Sequence, residues 1–184
     1  MYKFLFPIVF SLAPWPAQAQ NIKDSLQAKG IQWRMYREAG FQIGYPANWT
    51  RDLSGMMGAS FILFAPQDSD TDAFKENVNL QVTDLGVQNV ITLDVFAKAA
   101  EDQIEKMITA SEIRRSAKVN TGNPQTEYYE IEFTGLQGKL NLHWIQHYRI
   151  KGRYAYILTF TAQSNKYDDY QALARSILKS FQLM

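Results

Sequence analysis

Two histidines, His143 and His147, are the only imidazoles in this 184-residue chain, and they stand four residues apart. On a helix this spacing would bring both rings to one metal ion. The surrounding segment, LNLHWIQHYRI, alternates along the chain and is rich in aromatic and β-branched residues, which predicts a strand. Four residues of a strand span about 13 Å at ~3.3 Å per residue, so one ion cannot join the two rings directly. We therefore expect both histidines on the polar face of a sheet.

Hydrolytic chemistry would need one of the same two histidines beside a nucleophile. The chain has no G-x-S-x-G elbow, and neither histidine stands beside a strand-to-helix turn that would present a serine. It contains no cysteine, which excludes a thiol nucleophile, thiolate zinc and disulfides. Glu130 and Glu132 share one strand face, but no pattern marks a cleft around them. The sequence therefore predicts no catalytic residue, and a hydrolase is only the third functional hypothesis.

The segment with the strongest cation-binding pattern is the acidic run Asp68-Ser69-Asp70-Thr71-Asp72. Alternate aspartates resemble the first half of a calcium loop, in which oxygen ligands come from positions 1, 3 and 5. The match ends there, because position 6 is Ala73 instead of glycine and position 12 is Asn79 instead of glutamate. We predict a solvated acidic loop and no cofactor, with weak calcium binding by the three aspartates as the alternative.

Met56 and Met57, between Gly55 and Gly58, form the second loop of interest. The more common outcome for such a pair is a mobile loop that folds back on the core; the alternative is an adaptable contact surface, which flexible and polarisable methionine suits. Both this loop and the acidic loop leave the same early hairpin region. The sequence therefore predicts a partner-binding patch formed by Met56, Met57, Asp70 and Asp72, an apolar element with a charged rim.

The first nineteen residues have the pattern of a secretory signal peptide. Lys3 precedes an apolar run that is too short and too rich in proline to span a bilayer, and Ala17-Gln18-Ala19 is a small-x-small cleavage site. Residues 20–184 are expected to form one domain outside the cytoplasm, periplasmic or secreted, without stable membrane insertion. Without Lys3 the chain has 18 basic and 18 acidic side chains, and no basic cluster, so nucleic acid is not an expected partner.

Alternating patterns predict a mainly antiparallel sheet, and two stretches with helical periodicity predict helices packed on it. Thr92 is placed to cap the first helix, and Pro46 should end a strand so that Trp49 folds back over the sheet edge. The order of strands, helix, meander and helix indicates an α+β fold. The expected helices cover 92–110 and 166–181, and the expected strands cover 31–36, 41–46, 61–66, 77–85, 112–119, 127–134, 140–150 and 154–162.

The turn residues also predict strand register. A two-residue loop at Gln137-Gly138 would place Phe133 opposite Leu142 and Glu132 opposite His143. A three-residue loop over 151–153 would place Trp144 opposite Phe160, and we expect Trp144 to be buried between sheet and helix.

Several segments together resemble the PsbP-like superfamily, which includes PsbP, Mog-type Ran-binding proteins and DcrB-like envelope proteins. They are GFQIGYPANWT, NVNLQVTDL before TLDVFAKAAEDQI, and GRYAYILTFTAQSNKYDDY running into a helix that ends ILKSF. The resemblance covers most of residues 31–183. It implies an α/β/α sandwich around an antiparallel sheet, and it implies that the protein binds or helps to assemble other proteins without shared catalytic residues.

Two classes of function are therefore expected. The first is a non-enzymatic, extracytoplasmic protein-binding or assembly factor, whose partner would be an unidentified envelope or secreted protein. The second is a carrier of a small apolar ligand held between sheet and helix, which is favoured by the high aromatic content of 14%.

Overall fold

An antiparallel sheet of seven strands forms the centre of the protein. The computed structural model describes residues 30–69, 72, 74–86, 91–123 and 126–184, so the predicted signal peptide at 1–19 lies outside the described residues. The spatial order of the strands is β3-β4-β5-β9-β8-β7-β6. Their bounds are β3 Thr50–Asp52, β4 Phe61–Phe64, β5 Asn77–Asp84, β6 Thr109–Val119, β7 Tyr128–Gln137, β8 Leu140–Lys151 and β9 Tyr154–Gln163.

A smaller sheet of three strands packs beside the large one. It is formed by β1 (Trp33–Glu38), β2 (Phe41–Pro46) and β10 (Gln182–Leu183), with β2 in the middle. Pro46 is the last residue of β2, and Trp49 is buried just beyond it against Tyr170, with the two ring centroids 6.4 Å apart. The predicted role of this Pro–Trp segment is confirmed.

Two helices cover opposite faces of the large sheet. Helix α1 (Leu93–Met107) begins after Thr92, whose hydroxyl oxygen accepts a hydrogen bond of 3.3 Å from the backbone N–H of Val95, which confirms the predicted cap. Helix α2 (Tyr167–Ser180) has acidic residues in its first turn and Lys179 in its last, as the helix dipole favours. No helix among the described residues is long and apolar enough to cross a membrane.

Alternation along the central strands gives the protein two hydrophobic cores. The first core lies between the large sheet, the small sheet and α2, and it includes Ile43, Phe61, Leu80, Ile145, Phe160 and Ile177. The second core lies between the sheet and α1, and it contains Ile104, Ile131, Phe133, Leu142, Trp144 and Tyr148. This arrangement confirms the expected α+β fold of α/β/α type.

Strand β6 forms one edge of the large sheet and pairs only with β7 among the described strands. It is eleven residues long, mostly exposed and rich in charge. Its pairing with β7 is irregular at two places, between Thr109 and Glu112 and between Ile113 and Arg115. The other edge, β3, has only three residues.

The predicted strand register is wrong at both hairpins of the meander. The first loop is Gly138-Lys139, so Phe133 pairs with Trp144, two residues from the expected partner Leu142, and the side chains keep their predicted faces. At the second loop the shift is one residue, and Trp144 pairs with Thr161. A one-residue shift moves side chains to opposite faces of a sheet, so Trp144 lies in the second core and Phe160 in the first.

Because Trp144 is buried and stacks on Phe133 with ring centroids 4.9 Å apart, Trp144→Ala should lower the free energy of unfolding by ~3–5 kcal/mol. The measurement is urea denaturation. Val95→Ala, on the exposed face of α1, is the control and should change stability by less than about 0.5 kcal/mol. Equal midpoints for wild type and Trp144→Ala would contradict the described second core.

Candidate functional site

Two carboxylates and both histidines meet on the α2 face of the sheet. Glu130 and Glu132 project from β7, and His143 and His147 project from the neighbouring strand β8. His143 Nε2 lies 2.9 Å from Glu132 Oε1, and His147 Nε2 lies 3.0 Å from Glu130 Oε2. Each histidine therefore has its own glutamate, and the two imidazoles do not converge on one position.

Helix α2 closes this cluster from above with Arg175 and Tyr167. The Arg175 guanidinium donates to Glu130 Oε1 at 3.0 Å and also to Glu132 Oε2. Tyr167 donates its hydroxyl proton to Glu132 Oε1 at 2.6 Å, and its ring stacks on His143 with centroids 3.4 Å apart. From the edge strand β6, Arg115 Nε lies 3.0 Å from Glu130 Oε1. We call these seven residues the buried ionic network: Arg115, Glu130, Glu132, His143, His147, Tyr167 and Arg175.

The glutamates of the buried ionic network are held in their charged form. Burial raises the pKa of Glu130, but hydrogen bonds from His147 and Arg175 and the Arg175 charge outweigh it and bring the pKa to about 2. The hydrogen bond with His143, opposed by burial and helped by Tyr167 and Arg175, brings the pKa of Glu132 to about 2 as well. Both side chains therefore carry full charge near neutral pH.

His147 is held in its neutral form. It is only 2% exposed, and its burial lowers its pKa to about 4, against the opposing effect of the Glu130 carboxylate. Its other faces meet the Tyr128 ring, 4.1 Å away between centroids, and the positive charges of Arg149 and Arg175. Its Nδ1 has no hydrogen-bond partner in the described structure. The imidazoles thus face carboxylates and rings, not a hydroxyl or thiol nucleophile.

The location of the two histidines only partly matches the prediction. Their placement on one strand is confirmed, with side chains on the same face. The expected polar face is found, since Glu130, His147 and Arg149 lie on it, but this part of the face is buried. The expected closeness of Glu132 and His143 is found, although as a diagonal contact, since Glu132 pairs with Ile145 in the strand register.

The pKa of His147 makes stability depend on pH. Between pH 6.5 and about 4 the unfolded chain binds a proton at this residue that the folded protein does not, so the free energy of unfolding should fall as pH falls through this window. One such group contributes a slope of up to about 1.4 kcal/mol per pH unit. Below pH 4.5, Glu130 and Glu132 become protonated in the unfolded chain before they do in the folded protein. The free energy of unfolding should therefore fall further, down to about pH 2.

Urea unfolding at pH 7, 5.5 and 4.5 tests this dependence. His147→Gln should flatten the slope between pH 6.5 and 4.5, whatever its own stability at pH 7. His143→Gln is the matched histidine control, and the slope belongs to His147 only if this control retains it. A His147→Gln variant with the wild-type slope would contradict the assignment.

A lysine at the start of α2 is the counter-ion of the acidic loop. Lys166 Nζ, at the start of α2, donates to Asp68 Oδ2 at 2.7 Å and to Asp72 Oδ2 at 2.9 Å. Tyr170 donates its hydroxyl proton to Asp68 Oδ1 at 3.0 Å. Carboxylate oxygens of Asp68, Asp72 and the buried Glu76 lie within 4.8 Å of one another, which is the spacing of a cation site. The ammonium group of Lys166 fills that electrostatic role.

These contacts change the description of the predicted calcium loop. Hydrogen bonding from Lys166 lowers the pKa of Asp68 and of Asp72, and the two carboxylates raise the pKa of Lys166. The Asp72 side chain is nearly buried, so it is not a solvated residue as expected. Asp70, the central aspartate of the predicted triplet, lies outside the described residues. Glu76, which the sequence pattern did not single out, takes the third position instead.

Because Lys166 already neutralises two of the carboxylates, wild-type protein should show no submicromolar calcium affinity in calorimetric titration. Lys166→Met removes the ammonium group but keeps an unbranched side chain, and it should bind calcium more tightly than wild type, since three carboxylates then lack a counter-ion. Lys179→Met, at the end of α2, is the control. A submicromolar wild-type affinity that Asp70→Ala abolishes would contradict this expectation.

The Met56–Met57 pair lies at the surface. A 3-10 turn, Met56–Gly58, leaves Met56 48% and Met57 74% exposed, so these side chains do not fold back on the core. The turn precedes β4, whereas the acidic loop follows it. The methionines and Asp72 thus lie at opposite ends of β4, and Asp70 lies outside the described residues, so the patch expected from the sequence stays a prediction.

Sequence reasoning missed the residues that α2 contributes, namely Lys166, Tyr167 and Arg175. The helical stripe of α2 pointed to its apolar face, and these polar residues flank that stripe. One available signal was charge balance, because the inward-facing Glu130 and Glu132 of a two-sided sheet require cations from another element.

Comparison with known proteins agrees with this architecture. The PsbP family profile matches residues 32–183, which is most of the chain. No curated protein matches the chain at a significant level.

Solved structures with the same fold include three proteins of different origin. Cyanobacterial PsbP (CyanoP) from Synechocystis is 14% identical, with a TM-score of 0.60 over 84% of this chain and 94% of that protein. LpqN of Mycobacterium tuberculosis, described as involved in cell envelope biogenesis, is 12% identical. Its TM-score is 0.58, and the match covers 89% of this chain and 96% of LpqN. The Ran-binding protein Mog1p of Saccharomyces cerevisiae is 9% identical. Its TM-score is 0.54, and the match covers 83% of this chain and 96% of Mog1p. At these identities the likeness establishes the fold.

Proposed function

The chain belongs to the PsbP family, and on that premise we propose that it is an extracytoplasmic, non-enzymatic protein-binding or assembly factor. Its partner is an envelope or secreted protein. Structural relatives whose names state a role support this class, since one is a Ran-binding protein and another takes part in cell envelope biogenesis. The predicted signal peptide at 1–19 supports the location.

The contacts that both histidines make inside the protein support a non-enzymatic role. Both histidines of the chain are paired with glutamates, and Arg175 and Tyr167 close the cluster from α2. A general base must reach a substrate proton, either directly or through one water. His147 is buried and faces Glu130, so its position suits charge balance inside the fold better than proton transfer to a ligand.

The observation that carries the proposal is the exposed Met56–Met57 turn, together with Leu53. Leu53 is 51% exposed, so three large apolar side chains within five residues face solvent. We call Leu53, Met56 and Met57 the methionine patch. Flexible thioether side chains adapt to the shape of a partner and are common on protein-binding surfaces.

The backbone holds the methionine patch in a defined shape. Met57 has a positive φ of 54°, which is unusual for a residue other than glycine. The strained turn is held by Ala59 N–H, which donates to Met56 O at 3.0 Å, and by Gln81 Nε2, which donates to Met57 O at 3.1 Å. Strain of this kind persists where the surrounding structure over-determines it, and it concentrates at functional positions.

The charged rim of the methionine patch comes from residues close to it. Arg51 and Asp52 on the edge strand β3 are adjacent in sequence, and Asp52 Oδ1 accepts a hydrogen bond of 2.6 Å from Ser54 N–H. Asp72 is not available for this rim, because it lies beyond the other end of β4 and is bound by Lys166. Asp70, on the acidic loop, is proposed as a second contact with the same partner.

A photo-reactive amino acid placed at Met57 tests the proposal in the envelope of the host. It should form a crosslink to one dominant protein, because the side chain is exposed and the turn is rigid. Lys179, exposed on α2 and distant in sequence, is the control position and should not give the same product.

Met56→Ser combined with Met57→Ser should weaken recovery of the crosslinked protein at least fivefold. The melting temperature should be almost unchanged, because both side chains are exposed. Identical crosslinks from both positions, or none from Met57, would contradict the methionine patch as the interface.

A further inference from the structure

Helix α1 leaves a cavity against the sheet on the face opposite the buried ionic network. The cavity encloses about 340 Å³, which lies within the range of ~300–1,000 Å³ typical of small-molecule sites. Its floor comes from strands β5, β7, β8 and β9, and its roof comes from one face of α1. Met107, at the end of the helix, lines the cavity and is 70% exposed.

The shape of the cavity follows from the residues on either side. Phe133 stacked on Trp144 forms part of the floor, while α1 contributes the small side chains of Ala99 and Ala100 between larger residues of its roof. Gly135 allows the segment at the end of the helix to approach the sheet closely, because a Cβ atom at this position would lie 2.4 Å from Ile108 Cγ2.

The lining of the cavity is apolar with neutral polar groups. Among the described residues that line it, none is charged, although charged residues make up 20% of the chain. Two polar groups of the floor satisfy each other, since the Tyr148 hydroxyl donates to Gln146 Oε1 and Gln146 Nε2 donates to Thr159 Oγ1 at 3.1 Å. An ionised ligand would lose its hydration there without a counter-ion, which is strongly unfavourable.

One amide at the exposed rim of the cavity has only a weak protein acceptor among the described residues. Gln103 Nε2 donates to the Met107 thioether sulfur at 3.4 Å, and sulfur of this kind is a weak acceptor. A hydroxyl or carbonyl oxygen of a ligand would replace that contact with a stronger hydrogen bond. Met107, flexible and exposed beside it, can change rotamer to admit such a group.

We infer that the space between α1 and the sheet binds a small neutral molecule with an apolar chain or ring and one hydroxyl or carbonyl group. The apolar part lies on Phe133 and Trp144, and the oxygen lies at Gln103. No residue of the methionine patch lines this cavity, although Gln81, whose amide donates to Met57 O, does. Titration with a small molecule measures ligand binding in the absence of a partner, so the two proposals can fail separately.

Decanol and decanoate, which differ in their head group and its charge, test the inference on the full chain by calorimetry. Decanol should bind with a micromolar Kd, and decanoate at pH 8 should bind at least tenfold more weakly. Ala100→Phe fills the cavity and should weaken decanol binding at least tenfold. Val95→Phe, which adds the same ring to the solvent face of α1, is the matched control and should stay within twofold of wild type.

Intermolecular NOEs between decanol methylene protons and the Trp144 indole protons provide a second measurement that needs no variant. Their presence supports the site. Absence of decanol binding, equal affinities for decanol and decanoate, unchanged binding by a folded Ala100→Phe, or NOEs only to residues outside the cavity would each overturn the inference.

Discussion

The charge of two inward-facing glutamates is the constraint on which the arrangement of this protein depends. Glu130 and Glu132 lie on the α2 face of β7, where water does not reach freely. Buried carboxylates are stable only when cations and hydrogen-bond donors surround them. Arg175 must therefore lie above both, which fixes the axial position and rotation of α2 relative to the sheet. The same helix then places Lys166 at the acidic loop. One electrostatic requirement thus orders the sheet, the last helix and a distant loop together.

Both faces of the large sheet are covered by other elements, and this determines which features of the fold could be predicted from the sequence. The helices and the main strands follow from periodicity, because each element buries one continuous apolar side. Register does not follow as easily. Strand β8 has Trp144 on one face and the adjacent Ile145 on the other, and both are buried. With apolar residues on both sides, a one-residue shift costs little in the hydrophobic pattern, so the pattern cannot exclude it. The short strands β3 and β10 have too few residues to show alternation at all.

The candidate site is less predictable, because its contacts join residues that are far apart in the chain. Lys166 and Asp68 are 98 residues apart, and no local pattern connects them. The aspartate triplet correctly indicated a place where carboxylates gather, but the residue that balances them belongs to another element. The exposure of Met56 and Met57 was not predicted either, because the favoured interpretation of their loop was one that folds back on the core. Flanking glycines indicate a turn, but they do not show whether its side chains are buried.

The edges of the large sheet have a consequence for how this protein meets other chains. No described strand pairs with the outer side of β6, and its two pairing irregularities and its charged side chains disfavour the addition of another strand. The opposite edge, β3, is too short to template one. Main-chain recognition, in which a peptide extends the sheet, is thus disfavoured on both sides. The same two edges also disfavour polymerisation of the protein with itself through its large sheet.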